Sequence, residues 1–303
     1  DDLEGIHLEY LQAGANLIET DTFGASPLRL KEFNFSKFDP SDLKAIPDQL
    51  DMKTCSLESL TLELNIEGCR IAKRAIEKYR AQPDYDGRPL FVAGSIGPSN
   101  YVVSSTEANL NKGTFGQIVE NFYHQVLGLV EGGADVLLIE TQQDILETKA
   151  IIAGANKAFA EKKKKLPMIV QATVDVFSKM QIFNTDIHAA YTAVSKMGID
   201  VFGINCNVGP EEMLATVEKL SRFCKHPISV VPNAGQPISE DGQTCYKLSP
   251  EDMANTIEPF VREYGASIVG GCCGTTPAHI KALREKLNGV VPAPRQPDKK
   301  VYV

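Results

Sequence analysis

Seven times along this chain, a short and nearly unbroken apolar run ends in small or polar residues and hands over to an amphipathic helical stretch. The runs are residues 15–23 (ANLIETDTF), 90–96 (LFVAGSI), 135–140 (DVLLIE), 168–174 (MIVQATV), 200–206 (DVFGINC), 228–233 (ISVVPN) and 267–272 (SIVGGC). Runs that are apolar at successive positions suit parallel strands covered on both faces, not half-exposed antiparallel ones. Between them, Phe115, Ile118, Val119, Phe122, Val126, Leu129 and Val130 keep the spacing of a core-facing helix, and Gly132-Gly133 ends it. Asp144 with Glu147 reads as a capping box. Pro210, Pro250 and Pro277 sit in first helical turns, with Ser249 and Thr276 as N-caps.

Eight strand–helix units close a (β/α)8 barrel. Seven are present, preceded by one helix over about 3–13, so the expected fold is an α/β TIM barrel whose first strand is missing from this chain. A doubly wound open sheet is the alternative, but no Gly-x-Gly-x-x-Gly follows the first run. The barrel is expected to occupy 1–288, with an insertion at about 34–60 before a helix over about 60–80. Residues 97–114 form a long polar loop that in a barrel lies on the catalytic face, as a lid would. Residues 289–303, rich in Pro and Lys, read as a linker toward a following module.

Composition narrows the function. The net charge is −8, from 31 basic and 39 acidic residues, which argues against a nucleic-acid partner. No apolar run approaches the roughly 20 residues that cross a bilayer, and the first residues carry no secretory signal. Seven cysteines in 303 residues are too few and too uneven for a disulfide framework. The chain reads as cytoplasmic, with reduced thiols and no membrane partner.

Cys206, Cys272 and Cys273 matter most, because they stand at strand ends. In a barrel those ends face one site. Three thiolates with one open corner fit a tetrahedral Zn²⁺ that keeps a place for substrate. The glycines around Cys272-Cys273 allow the bend that lets both reach one ion. Three buried thiols acting as small apolar groups fit the spacing as well, and there is no Cys-x-x-Cys pair. His7, His124, His188, His226 and His279 are not spaced as ligands with a Cys. Cys55, Cys69, Cys224 and Cys245 read as ordinary thiols. Glu140 ends its strand at the same face, either as a substrate-binding acid or as a loop anchor. Asn233, before Ala-Gly, is a substrate contact or a turn residue. Asn205 is a candidate to orient a ligand, and Asp21 and Thr22 read as structural or supporting groups at the mouth.

The block Gly270–Pro277 (GGCCGTTP) closely resembles the zinc signature of homocysteine S-methyltransferases, and GINC (203–206) with Gly209-Pro210 resembles that family's first ligand motif. NLIETDTFGA (16–25), GSIGP (94–98), LIETQQD (138–144) and PNAG (232–235) match further blocks in the family's order, from about residue 3 to 287. LIETQQDILETKA and the closing PRQPDKK most resemble the homocysteine module of the cobalamin-dependent methionine synthase branch. The resemblance implies one Zn²⁺ per chain on Cys206, Cys272 and Cys273. It also implies Glu140 on the ammonium group of homocysteine, Asn233 on substrate polar atoms, and methylation to methionine. The implied donor is methylcobalamin on a separate module, with cobalamin and folate modules as partners in the same polypeptide. Alternatives are a sister enzyme using S-methylmethionine or betaine, a non-catalytic zinc- or thiol-binding module, and a metal-free barrel lyase. The family's usual first-strand block, Asp-Gly-(Ala/Gly)-x-Gly-Thr, is not in this chain.

Overall fold

The computed structural model describes residues 2–34, 56–105, 110–240 and 242–297. One sheet of seven parallel strands curls around a lumen. The strands are β1 (Leu17–Glu19), β2 (Phe91–Ile96), β3 (Val136–Gln142), β4 (Met168–Ala172), β5 (Val201–Asn205), β6 (Ile228–Val231) and β7 (Ala266–Val269), hydrogen-bonded in that order. The outer layer consists of α1 (Asp2–Ala13), a short α2 (Pro27–Leu30), α3 (Leu57–Arg80), α4 (Phe115–Gly132), α5 (Ile145–Lys162), α6 (Ile187–Val194), α7 (Pro210–Phe223), α8 (Pro250–Arg262) and α9 (Pro277–Lys286). Among the described residues this is a TIM-barrel-like fold without its first strand. Within the described residues β1 pairs only with β2, and β7 only with β6.

Helix α1 spans that seam from outside. It packs against α3 on one side and α9 on the other, and Tyr10 Oη donates to the Thr275 carbonyl at 2.9 Å. Beneath it, a cavity of about 1060 Å³ runs from the seam into the lumen and reaches Cys272.

The main core lies between sheet and helices. On α4, Ile118, Phe122, Val126 and Leu129 are buried, each adding roughly 1.5–3 kcal/mol. Gly133 ends this helix with φ 87°, a left-handed conformation that glycine adopts without a Cβ clash. Inside the barrel, Ala93, Leu138 and Ile169 pack with Leu17, Val136, Val201 and Ile268 into an apolar floor. Side chains two residues further along each strand point the same way. The next layer up is therefore polar: Glu19, Ser95, Glu140 and Gln171, with Gln171 Nε2 donating to Ser229 Oγ at 2.8 Å.

Several expectations shift. The ladder of β1 is three residues long, not nine, because beyond Glu19 side chains replace the main chain: Ser95 N donates to Thr20 Oγ1 at 3.0 Å. Helix α3 begins at Leu57, capped by Ser56, whose Oγ accepts from Ser59 N at 3.2 Å. Residues 57–60 thus belong to the helix and not to an insertion; residues 35–55 lie outside the described residues. Asp144 does cap α5, accepting from Leu146 N at 2.9 Å, but no capping box forms, because Glu147 turns away to Ser99. Two short hairpins went unread, Lys179–Met180 with Thr185–Asp186 and Ile238–Glu240 with Gln243–Cys245. The stretch after α9 is anchored: Ala293 N donates to Val261 O at 2.9 Å, and Arg295 donates to the Cys224 and His226 carbonyls at 2.6 Å each.

Candidate functional site

Three sulfurs meet at the C-terminal mouth of the barrel. Cys206 Sγ lies 3.7 Å from Cys273 Sγ, Cys272 Sγ lies 3.9 Å from Cys273 Sγ, and all three fall within 4.8 Å of one another. Two metal–sulfur bonds of about 2.3 Å at the tetrahedral angle place their sulfurs about 3.8 Å apart. Two edges of the cluster therefore match those of a Cys₃ zinc site, and the donor set is the right one. Among the described residues no other group of three or more metal-ligating side chains gathers in this way.

The backbone makes this possible by leaving strand geometry at the right places. Cys206 follows β5 with φ 61°, and Asn207 has φ 67°. For residues other than glycine this region costs of order 1–2 kcal/mol. Local bonds hold it: Cys206 N donates to Val231 O at 3.0 Å, and Asn207 Nδ2 donates to Val174 O at 2.9 Å. Cys272 and Cys273 lie three and four residues beyond the end of β7. There Cys272 N donates to Pro232 O at 2.8 Å and Cys273 N to Asn233 Oδ1 at 3.2 Å. The bend expected at the glycines is present, and the end of β6 ties it down.

Electrostatics within the cluster follow from proximity. Hydrogen bonds from Cys206 and Cys272 hold the Cys273 thiol well below its usual range, while the same contacts push Cys272 up.

Glu140 stands at the end of β3, buried, with Oε1 accepting from Ser95 Oγ at 2.6 Å and Oε2 from Asn205 Nδ2 at 3.3 Å. Burial pushes its carboxyl up; the Ser95 hydrogen bond opposes this and the Cys273 charge adds to it. Asn205 also grips the next residue, with Nδ2 on Thr141 Oγ1 and Oδ1 accepting from Thr141 N, both at 2.9 Å. Thr141 has φ 58°, so Asn205 fixes the strained end of β3 and the Glu140 carboxylate. It does not orient a cysteine.

Asn233 is buried, and its side-chain oxygen is engaged by the Cys273 amide. Thr22 is structural, donating to the Ser95 carbonyl at 2.8 Å. Asp21 lines the cavity below.

Glu19 was missed by the sequence reading. It is open to the cavity and not packed against side chains, yet it sits deep enough in the lumen for burial to dominate. Burial first, then the charge of Glu140, push its carboxyl up to about 8. A signal existed: Glu19 is an acid two residues from Leu17, the parity that faces a barrel lumen. Among the described residues no helix is long and apolar enough to cross a membrane.

The chain matches the family model for homocysteine S-methyltransferase over residues 1–287. It is 34% identical over 296 residues to methionine synthase of Mycobacterium tuberculosis, covering 98% of this chain and 22% of that protein. Against methionine synthase of Mycobacterium leprae it is 34% identical over 283 residues, 93% of this chain and 21% of the relative. The chain thus spans about a fifth of the length of these curated relatives. The metallated form of the homocysteine methyltransferase MmuM from Escherichia coli shares the fold, with TM-score 0.69 and 22% identity, over 94% of this chain and 84% of that one. Carried by the family match across nearly all of its length, and consistent with a cysteine trio at the mouth of a parallel barrel, this chain belongs to the homocysteine S-methyltransferase family.

Proposed function

We propose that this chain is the homocysteine-activating module of a methionine synthase. Cys206, Cys272 and Cys273 hold one Zn²⁺, and the fourth corner receives the sulfur of homocysteine. The observation that carries this reading is the 3.7 and 3.9 Å sulfur spacing, the edge length of a tetrahedral thiolate site. A free thiol has a pKa well above 7 and is a poor nucleophile at neutral pH. When bound, the metal lowers that pKa so that the substrate sulfur is held deprotonated.

The protein supplies the rest. Glu140, held by Ser95 and Asn205, receives the substrate ammonium, whose charge opposes the burial that pushes the carboxyl up. Glu19, its carboxyl pushed up to about 8, adds a second and largely protonated acid to the same polar layer. Asn233 fixes Cys273 through its amide and lies beside the substrate. The apolar floor below limits water, so the thiolate is presented oriented and poorly solvated. The methyl donor in this reading is methylcobalamin on a separate module, in a cytoplasmic polypeptide that also carries a folate module; the length of the curated relatives supports further modules.

The test is zinc content with sulfur counting by X-ray absorption. One zinc with three sulfur neighbours is expected at rest, four with homocysteine, and loss of zinc in Cys206→Ser. A wild-type protein that takes up no zinc overturns the reading. Methyl transfer from methylcobalamin supports the donor; transfer only from betaine or S-methylmethionine replaces it, and transfer from none leaves a binding module.

A further inference from the structure

Cys206 reaches the other two sulfurs only because the chain turns against strand geometry. Ile204 packs outward into the core between sheet and helices, and Asn205 points inward to Glu140. Side chains alternate along a strand, so a straight continuation of β5 would send Cys206 outward again. Instead Cys206 and Asn207 both take left-handed backbone, with φ 61° and 67°. Val208 N donates to Cys206 O at 2.9 Å, which closes a strained three-residue turn centred on Asn207. That turn delivers Cys206 Sγ to 3.7 Å from Cys273 Sγ.

Main-chain bonds hold the two ends of the turn: Cys206 N donates to Val231 O at 3.0 Å, and Asn233 N to Val208 O at 3.1 Å. Its apex is held by a side chain. Asn207 Nδ2 donates to Val174 O at 2.9 Å, and Asn207 Oδ1 accepts from Gln181 Nε2 at 2.8 Å. Both partners belong to the segment after β4 that forms the hairpin Lys179–Met180 with Thr185–Asp186. This segment is itself anchored. Asp175 Oδ1 accepts from Phe177 N and Lys179 N at 2.9 Å each. Ile187 N, at the start of α6, donates to Ser178 O at 2.9 Å, and Ser178 Oγ lies 2.8 Å from Thr216 Oγ1 on α7. The clamp on Asn207 therefore stands on two helices.

We propose that Asn207 is a positioning residue for the metal site: clamped between the Val174 carbonyl and Gln181, it holds the turn that aims Cys206 at the other two sulfurs. Asn tolerates left-handed backbone better than most residues, but tolerance only permits the turn. The two side-chain bonds make it the preferred state. Released from them, Cys206 relaxes toward extended backbone, its sulfur leaves the cluster, and an ion keeps only Cys272 and Cys273. Groups that orient ligands without being ligands typically change metal affinity about 10–100-fold. The proposal rests on the three cysteines binding zinc.

The experiment compares wild type, Asn207→Gly and Gln181→Ala in the protein with its full chain. Glycine adopts the left-handed turn without strain, so Asn207→Gly removes the clamp and leaves the conformation accessible. Zinc affinity is read by competition with a chelator, and the sulfur neighbours of the bound zinc are counted by X-ray absorption. Asn207→Gly is expected to hold zinc about 10–100-fold less tightly, with the sulfur count falling from three to two. Zinc affinity within threefold of wild type, or an undiminished count of three sulfurs, in Asn207→Gly overturns the proposal, whatever happens to its melting temperature: a purely structural asparagine would lower that temperature and leave the zinc alone. Should Asn207→Gly fail to fold, Gln181→Ala decides. It changes an exposed residue, and its zinc affinity is expected to fall more than threefold; a smaller change overturns the proposal. A wild type that binds no zinc overturns the site reading instead, so the two failures are distinct.

Discussion

Glu147 offers the sharpest test of the electrostatics around the mouth. It lies in the first turn of α5 and is 3% exposed. Its Oε1 accepts both Ser99 N at 2.8 Å and Ser99 Oγ at 2.5 Å, pinning the loop after β2 onto α5. Nearby, Asp144 holds the same loop through Val103 N at 3.1 Å and Ser104 N at 3.0 Å. Burial pushes the Glu147 carboxyl from 4.5 up to about 7, against the Ser99 hydrogen bonds and with help from the Asp144 charge. Because its folded value is raised, the folded state holds the proton more tightly than the unfolded chain does. The stabilisation is complete below about pH 4.5 and is lost as pH rises through 7.

Glu147→Gln keeps an acceptor for both Ser99 donors and removes the charge. Near pH 5 the variant and wild type should have similar stability. At pH 8.5 the variant should be more stable by about 3 kcal/mol, the shift multiplied by 1.36 kcal/mol per unit. With an unfolding entropy near 2.1 cal/mol/K per residue over 303 residues, that is about 5 °C in Tm. Scanning calorimetry of both proteins from pH 5 to 8.5 measures the difference directly. Taking the difference removes the slope that Glu19, raised to about 8, contributes equally to both. A gap that stays constant across this range, or a variant less stable throughout, would refute the argument that the charge is held against burial.

Two further outcomes follow from the site. Gly203→Ala would put a Cβ 2.0 Å from the Ser229 carbonyl oxygen, main chain that cannot turn aside, and should cost at least about 3 kcal/mol in denaturant unfolding; a loss under about 1 kcal/mol would show that β5 and β6 can separate. Glu140→Gln should leave the fold intact and weaken homocysteine binding to the zinc-loaded protein by about 1.5–3 kcal/mol in calorimetry, the worth of a hydrogen bond to a charged group; unchanged affinity would remove Glu140 from the substrate contacts.

Much of this molecule was legible in the order of its residues. Continuous apolar runs separated by helical periodicity specify parallel strands covered by helices, because no other arrangement buries both faces of each strand. The position of Cys206, Cys272 and Cys273 at the ends of such runs then places all three on one face of the barrel, whatever the details of packing. The count of seven strand-like runs was readable too, and among the described residues β1 pairs only with β2 and β7 only with β6.

What the tertiary structure decided is everything that depends on register between strands and on where loops land. Glu19 and Glu140 share a polar layer only because β1, β2 and β3 align as they do. Asn205 clamps Glu140 and not the adjacent cysteine because Cys206 turns to φ 61° and the two side chains part company. Asn233 serves the Cys273 amide, and the Tyr246 ring comes to Gly274 across a stretch of chain that no local pattern links. Local sequence sets periodicity and turn chemistry; contacts between distant segments are set by the closing of the sheet, which no single segment encodes.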